Sequence, residues 1–189
     1  MVLPLMGLFQ TLPSPRCEMG QTLPQRLRRW MAYLKAAELC FNIDPLLVAA
    51  VMDRESNGGD ALDPSGPAGT GDGGHGRGLM QIDDRAHPTL AAALAPWGQP
   101  LLASPALNIL IGAGFLAHLA RGFEAMTEDP WLPAIAAYNR GPTRVRQILA
   151  EVGSNPTRAE LISALDAGSA GNNYVSDVLR RRETFTFPL

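Results

Sequence analysis

Seven consecutive apolar residues, Leu46-Leu47-Val48-Ala49-Ala50-Val51-Met52, run straight into the charged triplet Asp53-Arg54-Glu55. Asp44 precedes them as a helix N-cap and Pro45 occupies the first helical position, so the stretch reads as a helix from Leu46 to about Arg54. A helix that is apolar on every side has no face to offer water and belongs inside the fold. The rest of the chain must be arranged around it. Its C-terminal end delivers Asp53, Arg54 and Glu55 to the edge of the core. Burial disfavours a charged carboxylate, and the negative end of the helix dipole acts in the same direction. Glu55 is therefore expected to hold its proton to unusually high pH, as a general acid for glycosidic-bond cleavage does. The plainer reading is an ion pair with Arg54 or Arg85.

The flanking sequence is helical too. Leu27, Trp30, Met31, Leu34, Ala37 and Cys40 recur at steps of three and four. Further helices are predicted from Ser104-Pro105 to about Arg121, from Asp129-Pro130 to Asn139, from Thr143 to Val152 and after Asn155-Pro156. A last one covers roughly Asn173 to Glu183, with Tyr174, Val178 and Leu179 facing inward. Strand signals are nearly absent, so the predicted fold is mainly α. Residues 1–23, rich in Pro, Gly, Ser and Thr, read as a loosely ordered arm before a single domain over 24–189. A chain of 189 residues can bury a core without disulfides or a structural metal.

A formal net charge of −2 gives no global pull toward nucleic acid or an acidic membrane. Lys35 is the single lysine; every other basic side chain apart from histidine is arginine. Cys17 and Cys40 match no metal spacing and read as reduced, partly buried thiols. Met1 to Phe9 is apolar but lacks a basic n-region and is interrupted by Pro4 and Gly7, which argues against a signal peptide. Leu107 to Leu119 is too short for a membrane span and carries Asn108 and His118. No coiled-coil seam is evident, and a monomer is expected.

Between residues 56 and 78 glycine dominates and no apolar period survives, which marks a long loop or a glycine-rich hairpin. Asp72 lies inside it, and Asp83 follows the turn Gly78-Leu79-Met80-Gln81. Glycines let backbone approach a ligand closely. Chain reversal through them can bring Asp72 and Asp83 together across from Glu55. One carboxyl held neutral and another held charged is what general acid and general base require. His75 sits among the same glycines and acids; a metal role for it lacks a second histidine at ligand spacing. Trp97, between Pro96 and Gly98, is the best candidate for an exposed sugar-stacking ring.

Four stretches in order, "RESNGG", "GDGGHGRGLMQID", "AIAAYNRGP" and "NNYVSDVLRR", carry a family resemblance. From about Ala36 to Arg182 the chain resembles the goose-type lysozymes, within the wider superfamily of lysozyme-like folds and soluble lytic transglycosylases. The resemblance implies an α+β lysozyme-like fold, mainly helical, with a small β-hairpin region at the glycine stretch. It implies Glu55 as catalytic acid, with Asp83 and Asp72 placing the attacking water. Gln81 and Met80 would form one wall of a cleft, with His75 nearby. Tyr138 and Asn139 would form the other wall, and Tyr174 would stand beside the acid. The implied substrate is peptidoglycan, cut without metal or organic cofactor. The rival readings are a lytic transglycosylase and, from another class, a wall-binding or virion protein that keeps the fold without activity. Two departures stand out. The link between Glu55 and Asp72 looks longer than the family's, and Arg140 follows Ala-Tyr-Asn, where it could meet a substrate carboxylate. Without a signal peptide, release through a holin, a virion or a dedicated secretion machine is the expected route to the wall.

Overall fold

A computed structural model describes residues 21–83, 85, 102, 104–153 and 155–187. Its centre is α3, Pro45–Ser56, preceded by α1, Gln25–Arg28, and α2, Met31–Phe41. The Asp44 carboxylate accepts a hydrogen bond from the Leu46 amide at 2.9 Å, and Pro45 opens the helix. Val48 to Met52 have no exposed surface at all, so the apolar run is the core of the protein. The helix stops at Asn57, whose left-handed φ of 52° ends the repeat.

Among the described residues five further helices form the frame: α4, Pro105–Arg121, α5, Trp131–Arg140, α6, Pro142–Val152, α7, Arg158–Asp166, and α8, Tyr174–Thr184. Prolines at the first turns of α4 and α6 supply ready-made helix starts. Thr157 and Glu160 form a reciprocal capping box on α7. Against α3 pack α2, α4 and α8, the last to arrive in sequence. A short parallel pair, β1 at Gln21–Thr22 and β5 at Phe185–Thr186, joins the two ends of the folded unit.

The glycine-rich stretch forms the second sheet. β2, Thr70–Gly71, β3, Gly76–Arg77, and β4, Ile82–Asp83, run antiparallel in that order, with Gly71 opposite Gly76 and Gly76 opposite Asp83. The chain is thus mainly helical with one small antiparallel sheet, the α+β architecture that the resemblance implies. Among the described residues no helix is long and apolar enough to cross a membrane.

Three expectations change. Cys40 is exposed, not partly buried: the three-and-four rhythm holds from Leu27 through Trp30, Leu34 and Ala37, and its next step is four residues, to Phe41. Arg29 and Trp30 form a turn between α1 and α2, and at the end of α2 it is Phe41 that packs inward, its ring against Gly114. Cys17 lies outside the described residues, as do Trp97 and residues 1–20 of the expected arm. The end of that arm belongs to the fold: Gln21 and Thr22 are β1, and Leu23 is fully buried. Leu179 is only half-buried, at the rim of the core.

Candidate active site

Glu55 stands one residue before the end of α3, half-buried, with its carboxyl turned toward α8. Tyr174, the first residue of α8 and only 2% exposed, donates its hydroxyl to Glu55 Oε1. Burial pushes the Glu55 carboxyl up from 4.5 to about 7, while the Tyr174 hydrogen bond and the Arg54 charge pull it partly back. Burial and the neighbouring Glu55 also push the Tyr138 and Tyr174 hydroxyls well above their ordinary range.

The acid is held by the two charged residues that precede it in sequence. Asp53, 3% exposed, takes a two-pronged hydrogen bond from Arg26 at 2.7 and 3.1 Å and a further one from Arg181 of α8. Arg181 also reaches Asp177 at 2.8 Å. Arg54 donates to the Ala170 carbonyl at 2.8 Å and to Asn173 at 3.1 Å, pairs with Asp177 at 3.4 Å, and lies 5.6 Å from the centre of the Tyr174 ring. A buried charge left alone is costly, so these pairs fix the approach of α8 to α3 and with it the place of Tyr174. The Asp166 carboxylate completes the docking by accepting from the Val175 amide at 2.6 Å.

The opposite side is built on a turn. Gly78 has a φ of +67°, and a Cβ there would come within 2.5 Å of Asn108 Nδ2 and 2.7 Å of the Leu102 carbonyl. Only glycine fits. Asn108, fully buried on α4, donates to the carbonyls of Arg77 and Leu102, both at 2.9 Å, and accepts from the Met80 amide at 2.7 Å. Met80 points into the core against Gly112 and is fully buried, so it does not line the cleft with its side chain as expected. Its contribution is the carbonyl, which accepts from the Tyr138 hydroxyl at 2.9 Å.

Gln81 follows with a φ of 48°, its amide donating back to the Gly78 carbonyl at 2.8 Å. The other end of that amide lies over the hairpin, where a Cβ on Gly71 or Gly76 would fall 2.2 or 2.4 Å from Oε1. The glycines of β2 and β3 are thus the floor on which Gln81 rests. A groove of about 430 Å³ opens here, lined by Gln81, Asp83, Phe115, Tyr138, Asn139 and Pro142 among others. Asn139 is exposed and accepts from the Ala170 amide at 3.3 Å. Arg140 directs its guanidinium to the carbonyls of Leu165 and Ala167, at 3.3 and 2.6 Å. It is engaged with backbone where a substrate carboxylate was expected.

The two aspartates meet at one guanidinium. Asp72 caps the hairpin tip with a left-handed φ of 48° and a side chain 68% exposed, whereas Asp83 on β4 is 31% exposed. Arg85 bonds Asp72 at 2.5 Å and Asp83 at 2.7 and 3.1 Å. The alternative pairing of Glu55 with Arg85 is not what forms. His75 is half-buried in the turn between β2 and β3, its amide donating to the Asp72 carbonyl at 3.3 Å. Among the described residues no three His, Cys, Asp or Glu side chains are grouped to hold a metal ion.

The contacts of Arg85 and Asn108 are not evident from sequence, which suggests Arg85 only as a partner for Glu55 and Asn108 only as a break in an apolar run. An amide that interrupts an apolar helix face is the available signal for Asn108, since a buried amide needs partners. Nothing local marks Arg85.

Comparison with known proteins covers the same stretch. Residues 32–161 match the family model described as "Transglycosylase SLT domain". Lysozyme g of Struthio camelus is 28% identical over 162 residues, 85% of this chain and 68% of that protein. Lysozyme g of Casuarius casuarius is likewise 28% identical over 162 residues, 85% of this chain and 75% of its own. Lysozyme g of Cyprinus carpio is 31% identical over 144 residues, 76% of this chain and 65% of the fish protein. The family match runs from α2 into α7 and takes in Glu55, the whole glycine-rich sheet and the Tyr138-Asn139 wall. On that span, which exceeds half its length, the chain belongs to the transglycosylase SLT domain family of the lysozyme-like superfamily.

Proposed function

We propose that this protein is a peptidoglycan-cleaving muramidase that hydrolyses the β-1,4 bond between N-acetylmuramic acid and N-acetylglucosamine. The observation that carries the reading is the state of Glu55: burial lifts its carboxyl to about 7, so it keeps a proton to give at neutral pH. In the reaction Glu55 protonates the leaving glycosidic oxygen as the bond to the anomeric carbon breaks. A water held by Asp83 and Asp72 attacks that carbon from the opposite face, and an aspartate takes its proton. The outcome is inversion, for which acid and base stand roughly 6.5–9.5 Å apart to leave room for the water. Gln81, Tyr138 and Asn139 line the sugar groove, and His75 lies at its glycine-rich lip. Met80 supports the groove from beneath, and Tyr174 orients the acid. The enzyme acts as a monomer on glycan strands, in the periplasm or outside the cell.

A lytic transglycosylase is the second reading, favoured by the description of the matching family. There the C6 hydroxyl of the muramic acid attacks the anomeric carbon, Glu55 takes back the proton, and no water is consumed. Mass spectrometry of the products released from purified peptidoglycan separates the two. Reducing-end N-acetylmuramic acid is the expected result, with Glu55→Gln lowering the rate on the order of a thousandfold. Products lighter by one water, in the 1,6-anhydro form, would transfer the assignment to the transglycosylase. Equal rates for wild type and Glu55→Gln would remove catalysis by this site and favour a wall-binding protein.

A further inference from the structure

The arrangement of the β2–β3 turn, β4 and Arg85, two residues past β4, points beyond the pair of aspartates. We infer that Arg85 is the positioning residue of the water-directing half of the site, tying Asp72 and Asp83 into one carboxylate pair. The assignment rests on the hydrolytic reading above. One guanidinium nitrogen, Nη2, donates to Asp72 Oδ2 at 2.5 Å and to Asp83 Oδ2 at 2.7 Å. Nε donates to Asp83 Oδ1 at 3.1 Å, and the Arg85 amide reaches that same oxygen at 2.8 Å. Asp83 is therefore gripped in a fork, and Asp72 is attached to the outer tine.

Asp72 needs such an anchor. It stands at φ 48° between Gly71 and Gly73, on a hairpin tip with 68% of its side chain exposed. Gly73 and Gly74, which follow it, also have positive φ, and a Cβ added to either would stand in open space. Two carboxylates in one small site repel unless a cation lies between them. Arg85 supplies the cation and the geometry together: a rigid plane with separated N–H groups, which holds both carboxylates at a set distance and angle. A water directed by the pair would inherit that geometry.

Arg85 is itself exposed, with 52% of its side chain open to solvent. Its replacement is accordingly expected to change chemistry and leave folding alone. The test uses the full chain on purified peptidoglycan, comparing wild type, Arg85→Gln and Arg85→Lys, with initial rates, product masses and melting curves for each. Arg85→Gln is expected to lower kcat on the order of a hundredfold. Its KM stays within about twofold, its melting curve is unchanged, and 1,6-anhydro products appear as water loses its place to the C6 hydroxyl. Arg85→Lys keeps the charge without the fork and falls between the two. Wild-type hydrolysis with Arg85→Gln matching it in kcat and product ratio overturns the assignment of Arg85 alone. Wild type yielding only 1,6-anhydro products overturns the hydrolytic reading, and this assignment with it.

Discussion

The surroundings of Glu55 and those of the two aspartates are built in contrasting ways. Glu55 sits on the most buried of the described helices, and Tyr174 reaches it from a second helix locked in place by Asp53, Asp177, Arg26 and Arg181. Its neighbours are enclosed, and a low-dielectric setting is what lifts its carboxyl. Asp72 instead sits in the glycine-rich turn after β2 and Asp83 on the two-residue strand β4, and an exposed arginine joins them. The first side tunes a proton affinity by excluding water, while the second orients carboxylates in contact with water. The proposed acid and base, with opposite protonation needs, would be well served by two such surroundings.

The contrast can be probed by variants that ask whether each side depends on burial. Asn108→Ala should have the largest effect on stability. It strips partners from the Met80 amide and from the Arg77 and Leu102 carbonyls, at about 4 kcal/mol in total, with each unsatisfied buried group costing roughly 1–3 kcal/mol. Chemical denaturation would measure it. A loss that large would show that the open side rests on a buried support; a negligible one would mean that water fills the vacated site.

Glu55→Gln sharpens the other half. The folded carboxyl at about 7 lies above its unfolded value near 4.5, so its stabilising protonation is complete below 4.5 and is lost as pH rises through 7. The glutamine variant carries no such loss. It should gain on wild type across that window, reaching up to ~3 kcal/mol above pH 7, since each tenfold change in proton affinity is worth about 1.4 kcal/mol. Parallel melting curves at every pH would refute the burial of the acid. Under the proposed mechanism the same proton should set the activity, which is expected to fall as pH rises through about 7 in a pH–rate profile.

Ionic strength gives the smallest expected effect and separates the sides most directly. Raising salt from roughly 0.15 to 0.5 M screens the exposed Arg85 bridge and should lower kcat by about twofold. The pH at which activity falls on the basic side, set by the enclosed Glu55, should stay where it is. A shift of that limb with salt would contradict the enclosure.

This division also decides what could be read from the chain alone. The apolar run from Leu46 to Met52 dictated its own burial, and the Asp44-Pro45 start placed the helix, so Glu55 was visible as an acid at a core edge. The proline-marked starts of α4, α6 and α7 lay open in the same way. Tyr138, Asn139 and Tyr174 were recognisable through motif order; their contacts join residues far apart in sequence. Cys40 escapes its expected place because the helical repeat steps four residues after Ala37, which turns Phe41 inward and leaves Cys40 outside. Arg85 stayed hidden for a different reason. An exposed arginine has the same local signature whether it grips two carboxylates or none, and only the hairpin that returns Asp72 to it makes the difference.

Tyr174 lies 119 residues beyond the carboxyl it serves, and Asp53 likewise waits for Arg181. During synthesis, then, the enclosure of Glu55 comes last. A nascent or C-terminally shortened chain lacking α8 would leave that carboxyl open to water with an ordinary acidity. The order of translation thus delays the raised proton affinity of Glu55 until α8 has been made.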